Sequence, residues 1–161
     1  MQPNDDLADI LRSIPGFGTL DDSNLRAIAS ASRLQSVPEN HHFYREDEAS
    51  QDVYYLVSGI INITFILPDP ASDPVEILTM HKGALFGTLA FLDGARRNLG
   101  AVSRERCIVV KMDGTLLRAA CDANPIAGMA VYRVFGEAAA RNARDVTFEL
   151  RSVMARLPGC K

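Results

Sequence analysis

Residues 83–101, GALFGTLAFLDGARRNLGA, decide the reading of this chain. Leu85 and Phe86 read as the end of a strand, Gly87 as a tight turn, Leu89 to Leu92 as one apolar turn of helix and Gly94 as its stop. Two adjacent arginines, Arg96 and Arg97, then lead back into a strand. The first turn of a helix exposes backbone N–H groups with no intrahelical partner, and these carry partial positive charge. A glycine lets that backbone approach a ligand closely, and a guanidinium a few residues on can form a bidentate pair with a phosphate. The stretch therefore predicts an anion site made of Gly87, the amides of Leu89 and Ala90, and one of the two arginines.

Around this stretch the sequence runs in short β-branched or aromatic segments broken by turn residues, at 34–37, 42–45, 53–57, 60–67, 75–80, 100–103 and 107–112. Such a series predicts an antiparallel jelly-roll barrel. Ser58-Gly59, between YYLV and IINI, reads as a hairpin turn. Pro68 to Pro74 reads as a polar loop, mobile and tolerant of insertion. Before the strands, Leu7, Ile10, Leu11 and Ile14 recur at helical spacing and stop at Pro15-Gly16. Phe17 and Leu20 read as core anchors, and Asp21, Asp22 or Ser23 caps a second helix carrying Leu25, Ile28 and Ala29.

After the strands the helical period returns. Leu116, Leu117, Ala120 and Cys121 are assigned to one helix face, and Pro125 opens a long helix to about Arg156. The apolar stripe of that helix, Val131, Val134, Phe135, Ala138, Val146, Leu150, Val153 and Leu157, is broken. The expected fold class is mainly β with flanking helices. We expect one domain over 1–161, with a helical segment at 1–32, a barrel at 33–112 and C-terminal helices at 113–161.

Phe86, Gly87, Leu89, Ala90 and Phe91, followed by Arg97, resemble the phosphate-binding cassette of the cyclic nucleotide-binding domain, whose pattern is roughly Phe-Gly-Glu-apolar-Ala-Leu, a variable tip, then Pro-Arg-Ser/Ala-Ala. The segment LRSIPGFGTLDDSNLRAIA is similar to the helical segment that precedes the family's barrel, and the likeness runs from about Leu11 to Arg151. The family's spacing from the arginine to the strand at 107–112 favours Arg97 over Arg96 as the phosphate ligand. Two departures matter: Thr88 stands where the family has a glutamate that accepts the ribose 2′-hydroxyl, and Asn98, Leu99 and Gly100 replace the small residues after the arginine. The resemblance implies a ligand, cyclic AMP or cyclic GMP, contacted by Phe86, Gly87, Thr88, Leu89, Ala90, Arg97 and Asn98. It also implies a final helix that closes over the base or pairs with a second copy, through Phe148, Leu150 or Val153, and is read by that copy or by a separate effector protein; for this helix the alternative is that the stripe simply packs on the barrel. The alternative is a degenerate copy that has lost nucleotide binding and serves as an interaction or dimerisation module.

Other function classes find little support. The net charge of −3 offers no general attraction for nucleic acid, and direct nucleic-acid binding is not expected, since few residues follow the long helix. The acidic N-terminus has no export pattern and no apolar run is long enough to span a bilayer, so a cytoplasmic protein without membrane contact is expected. Cys107, Cys121 and Cys160 are scattered and read as reduced thiols. His41 and His42 are adjacent, so on a strand they face opposite sides and cannot chelate one ion; no metal or cofactor is expected. No nucleophile elbow, P-loop or His-Glu-x-x-His motif is present, and an enzyme is not expected.

Overall fold

The computed structural model describes residues 3–67 and 73–155, with side chains described for all of these except 3–6 and 153. The polar loop expected at Pro68 to Pro74 falls largely outside the described residues, as do Leu157, Cys160 and the side chain of Val153. Two helices, α1 (Pro3–Ser13) and α2 (Asp22–Ser30), precede the strands. Asp21 caps α2, its carboxylate accepting the Asn24 N–H at 2.8 Å. Phe17 and Leu20 between the helices are both buried.

The strands are β1 (Ser32–Val37), β2 (His42–Tyr44), β3 (Val53–Ser58), β4 (Ile61–Phe65), β5 (Val75–Met80), β6 (Leu85–Phe86), β7 (Gly100–Ser103) and β8 (Cys107–Met112). They form two antiparallel four-stranded sheets, ordered β1-β8-β3-β6 and β2-β7-β4-β5. The inner faces meet in a jelly-roll-like sandwich whose core includes Phe43, Tyr54, Leu56, Ile61, Ile63, Phe86, Cys107 and Val109. The outer face of the first sheet is covered as well. There Val53, Tyr55, Val110 and Met112 join the helices in a second core around Leu11, Phe17, Leu25, Leu117 and Phe135. Alternate side chains of a strand point to opposite faces, so a strand covered on both sides carries apolar residues in succession. This explains the run Val53 to Leu56, in which every residue is buried.

That arrangement corrects the reading of Ser58-Gly59 as a hairpin. β3 already has β8 on one edge and β6 on the other, so no edge remains for β4, which pairs with β5 and β7 in the other sheet. Gly59 instead turns the chain from one sheet to the other. Its φ is +101°, and a Cβ there would lie 2.6 Å from the Cys107 Sγ. The strand expected at 60–67 is also shorter, ending at Phe65, where its partner β5 begins at Val75.

Beyond β6, α3 (Thr88–Asp93) and, after β8, α4 (Gly114–Ala123) and α5 (Pro125–Met154) complete the chain. The Asp113 carboxylate caps α4, accepting the Leu116 N–H at 2.9 Å. Leu117 and Cys121 pack inward, but Leu116 is 56% exposed. Adjacent helical residues lie about 100° apart, so Leu116 and Leu117 cannot share a narrow face, contrary to the sequence assignment. Among the described residues no helix is long and apolar enough to cross a membrane. Cys107 and Cys121 are buried free thiols.

Candidate functional site

α3 begins from Gly87 in left-handed conformation (φ 80°), and no side chain caps its first turn. It ends at Gly94, also left-handed (φ 72°), whose N–H returns to the Ala90 carbonyl at 3.1 Å. The N–H groups of the first turn therefore have no partner within the helix. Glycine is required at position 87 on two counts. Positive φ disfavours any other residue, and a Cβ would sit 2.8 Å from the Asp52 carbonyl oxygen and 3.0 Å from the Arg97 Nη1.

Arg97 lies under this turn and is 4% exposed. Its Nε donates to the Ser50 hydroxyl at 3.1 Å, its Nη1 to the Gly87 carbonyl at 2.7 Å and its Nη2 to the Asp52 carbonyl at 2.6 Å. The guanidinium stacks on Tyr44, 4.1 Å from the ring centroid. All of these partners are neutral. The nearby Asp52 carboxylate is committed elsewhere, to Lys111 Nζ at 2.6 Å and the Gly114 N–H at 3.0 Å. Burial pushes the Arg97 guanidinium below its ordinary pKa, with Tyr44, Tyr54 and the carboxylates of Asp52 and Glu48 acting in the opposite direction. An arginine nonetheless remains charged in a protein. The result is a buried cation with donor capacity left over and no carboxylate bonded to it, a state that favours uptake of an anionic ligand.

Arg96 takes the opposite course, exposed to solvent and paired with the Asp47 carboxylate at 2.8 Å. The two arginines lie in the loop before β7 rather than on a strand, so their divergence comes from loop geometry instead of strand alternation.

A cavity of about 280 Å³ opens beside Arg97. Phe86, Gly87, Thr88, Leu89, Ala90, Arg97 and Asn98 all line it. Phe86, Thr88 and Ala90 are buried, whereas Leu89 and Asn98 are exposed. From the sequence, none of the rest of the lining is assigned to the site: Tyr44 beneath the guanidinium, Leu99 in the loop before β7, Ile63, Leu78 and Met80 from the second sheet, and Ala139, Asn142, Ala143 and Val146 from α5. For Asn142 a signal was present, because it occupies the gap in the apolar stripe between Ala138 and Val146. The Tyr44 phenol is pushed up to about 12, chiefly by burial, with the Arg97 charge acting the other way.

No group of three His, Cys, Asp or Glu side chains is placed to hold a metal among the described residues. His41 instead sets its ring edge-on to Phe43, with centroids 5.1 Å apart.

Similar architecture occurs in solved proteins. A cyclic nucleotide-binding domain from Methylobacillus flagellatus superposes with a TM-score of 0.76 at 16% identity, over 97% of this chain and 85% of that one. A putative cyclic nucleotide-binding protein from Geobacter metallireducens gives 0.70 at 21%, over 88% and 97%. The regulatory domain of Toxoplasma gondii PKA, crystallised with cAMP, gives 0.62 at 22%, over 73% of this chain and only 44% of that longer one. At these identities the likeness is one of fold. The sequence itself carries the assignment further, since the family model described as the cyclic nucleotide-binding domain matches residues 34–124, more than half of the chain and the whole of the segment that builds the anion site. By fold and by sequence together, the chain belongs to the cyclic nucleotide-binding domain family.

Proposed function

We propose that this chain is a regulatory sensor, not an enzyme, which binds a cyclic purine mononucleotide, foremost cyclic AMP, and reports its occupancy through α5. The observation that carries this reading is Arg97, a buried cation with only neutral protein partners, under an uncapped helical turn at the wall of a cavity. A singly charged phosphodiester supplies the missing anion and meets the amides that follow Gly87. The base then lies among Ile63, Leu78 and Met80, beneath the α5 residues Ala139, Asn142, Ala143 and Val146. The cAMP held by the Toxoplasma gondii protein, on the same fold, supports the choice of ligand. Because α5 lines the cavity, a ligand that packs differently against its near and displaced positions shifts the balance between them.

Thr88 sets the strength of the sugar contact. A hydrogen bond to a charged group contributes about 1.5–3 kcal/mol, and one between neutral groups about 0.5–1.5. With about 1.4 kcal/mol per factor of ten, a hydroxyl in place of a carboxylate lowers affinity by roughly one order of magnitude.

A second reading, a dimerisation module, draws on the face of α5 that adjoins the cavity side, the two meeting at Ala143. Ile126, Met129, Gly136, Ala140, Ala143, Leu150 and Met154 recur at the three- and four-residue spacing of a coiled-coil seam, with Arg133 and Thr147 at the remaining positions. Ile126, Met129, Leu150 and Met154 are each at least 46% exposed. The two readings are compatible, since a second copy could receive the signal.

Thermal unfolding of ligand-free protein with millimolar cyclic AMP or cyclic GMP tests the sensor. Ligand at 100 times its Kd adds about 2.7 kcal/mol, which raises the midpoint of a domain of this size by roughly 5–11 °C. The shift is expected for the native chain and absent in Arg97→Ala. No shift with either nucleotide leaves the interaction module as the function.

A further inference from the structure

Tyr44 stacks under the Arg97 guanidinium and lines the cavity, yet the stack uses only the face of its ring. The residue is 6% exposed, so its hydroxyl is a polar group in a place where such groups need a partner. The hydroxyl end of the ring lies beneath the Gly87 turn. A Cβ at Gly87 would sit 3.4 Å from Cε1, the ring atom next to the carbon that bears the hydroxyl.

A neighbour in the same aromatic cluster shows the ordinary solution: the Tyr54 hydroxyl donates to the Phe43 carbonyl at 3.4 Å. The Tyr44 hydroxyl donates to no group among the described residues. No side-chain oxygen closed off from solvent lacks a partner there, so this one opens onto the cavity that the residue lines. Burial pushes the phenol up to about 12, against the opposing effects of the Arg97 charge and the Gly87 N–H, so the proton is retained at neutral pH. The guanidinium above the ring can only donate, and it cannot take that proton's bond. Two donors of this kind side by side are complemented by an oxyanion with more than one acceptor oxygen.

We propose that Tyr44 is a further ligand of the phosphate, its hydroxyl donating a hydrogen bond to one of the two exocyclic oxygens of the cyclic phosphodiester held by Arg97. This rests on the cyclic nucleotide reading above. One side chain from β2 then serves the site twice, bracing the cation with its ring and meeting the anion with its hydroxyl.

The test is binding of cyclic AMP and of its two phosphorothioate diastereomers, each with sulfur in place of one exocyclic oxygen, to the native chain and to Tyr44→Phe. This substitution keeps a ring under Arg97 and removes only the hydroxyl. Affinity for cyclic AMP is expected to fall roughly ten- to hundredfold, the equivalent of one hydrogen bond to a charged group, with no fall in the unfolding midpoint of the ligand-free variant. Sulfur accepts a hydrogen bond more weakly than oxygen. The diastereomer with sulfur against the phenol is therefore expected to lose little in Tyr44→Phe, and the other to lose about as much as cyclic AMP. Unchanged affinity for cyclic AMP in Tyr44→Phe overturns the proposal. Equal weakening of both diastereomers, or a lower ligand-free midpoint, overturns it too by giving the hydroxyl a structural part instead. Failure of the native chain to bind cyclic AMP removes the underlying reading as well, an outcome distinct from binding that ignores the hydroxyl.

Discussion

At the scale of single residues, Arg97 is held by carbonyls, a hydroxyl and a ring face rather than by a carboxylate. This pre-positions the guanidinium without neutralising it, so an incoming anion need not displace an internal rival. Gly87 is the hinge of the arrangement. We expect Gly87→Ala to lower stability by about 1–3 kcal/mol in urea titration, through left-handed strain and collision with the Asp52 carbonyl and the guanidinium. Nucleotide affinity should fall with it, whereas a variant as stable as the native chain would show that the turn relaxes freely. The cassette was legible in the sequence because its residues are consecutive and each type has one evident use. Tyr44, Ser50 and Asp52 were not legible, since the last two act on Arg97 through a hydroxyl and a backbone carbonyl and all three approach it from more than forty positions away.

At the scale of elements, the boundaries of most strands followed from composition alone, and their partners did not. The run around β3 and β4 shows why: a turn glycine between two apolar segments signals reversal of the chain, but only the occupancy of both β3 edges decides that β4 crosses to the other sheet. Leu116 shows a second limit, where two neighbouring leucines were read as one face. The element with most left to declare is α5. If its seam receives a second copy, acidic substitutions there separate the copies. The double variant Leu150→Glu, Met154→Glu should halve the mass seen by light scattering while leaving the helix content unchanged. A monomer mass for the native chain at high concentration would instead remove the seam as an interface.

At the scale of the whole molecule, the fold has two cores with different duties. The helical core gathers α1, α2, α4 and the first half of α5 around one face of a sheet, and the second core fills the space between the sheets beside the cavity. α5 belongs to both regions: Val131, Val134, Phe135 and Ala138 anchor it in the first, while Ala139, Asn142, Ala143 and Val146 overhang the cavity. The first half of α5 is thus packed into the helical core, while the second half lies over the cavity and is joined to β6 by the bond from Asn142 Nδ2 to the Leu85 carbonyl at 3.1 Å.

The sheet-to-sheet corner at Gly59 also makes Cys107 a built-in clock. The thiol is 0% exposed beneath that corner, its single S–H is shared between the Ile60 and Glu105 carbonyls, each 3.3 Å from Sγ, and burial pushes its pKa up. The thiolate is the nucleophile that attacks an alkylating reagent and displaces its halide, so the native sulfur is withheld both sterically and electronically. Timed iodoacetamide pulses read by peptide mass spectrometry should therefore modify Cys107 only as the sandwich opens, along the same urea curve as the loss of circular dichroism. Modification at the rate of a free thiol in native buffer would show that the corner breathes on its own. A chain that keeps time in this way needs no added dye for its opening to be followed, with or without nucleotide.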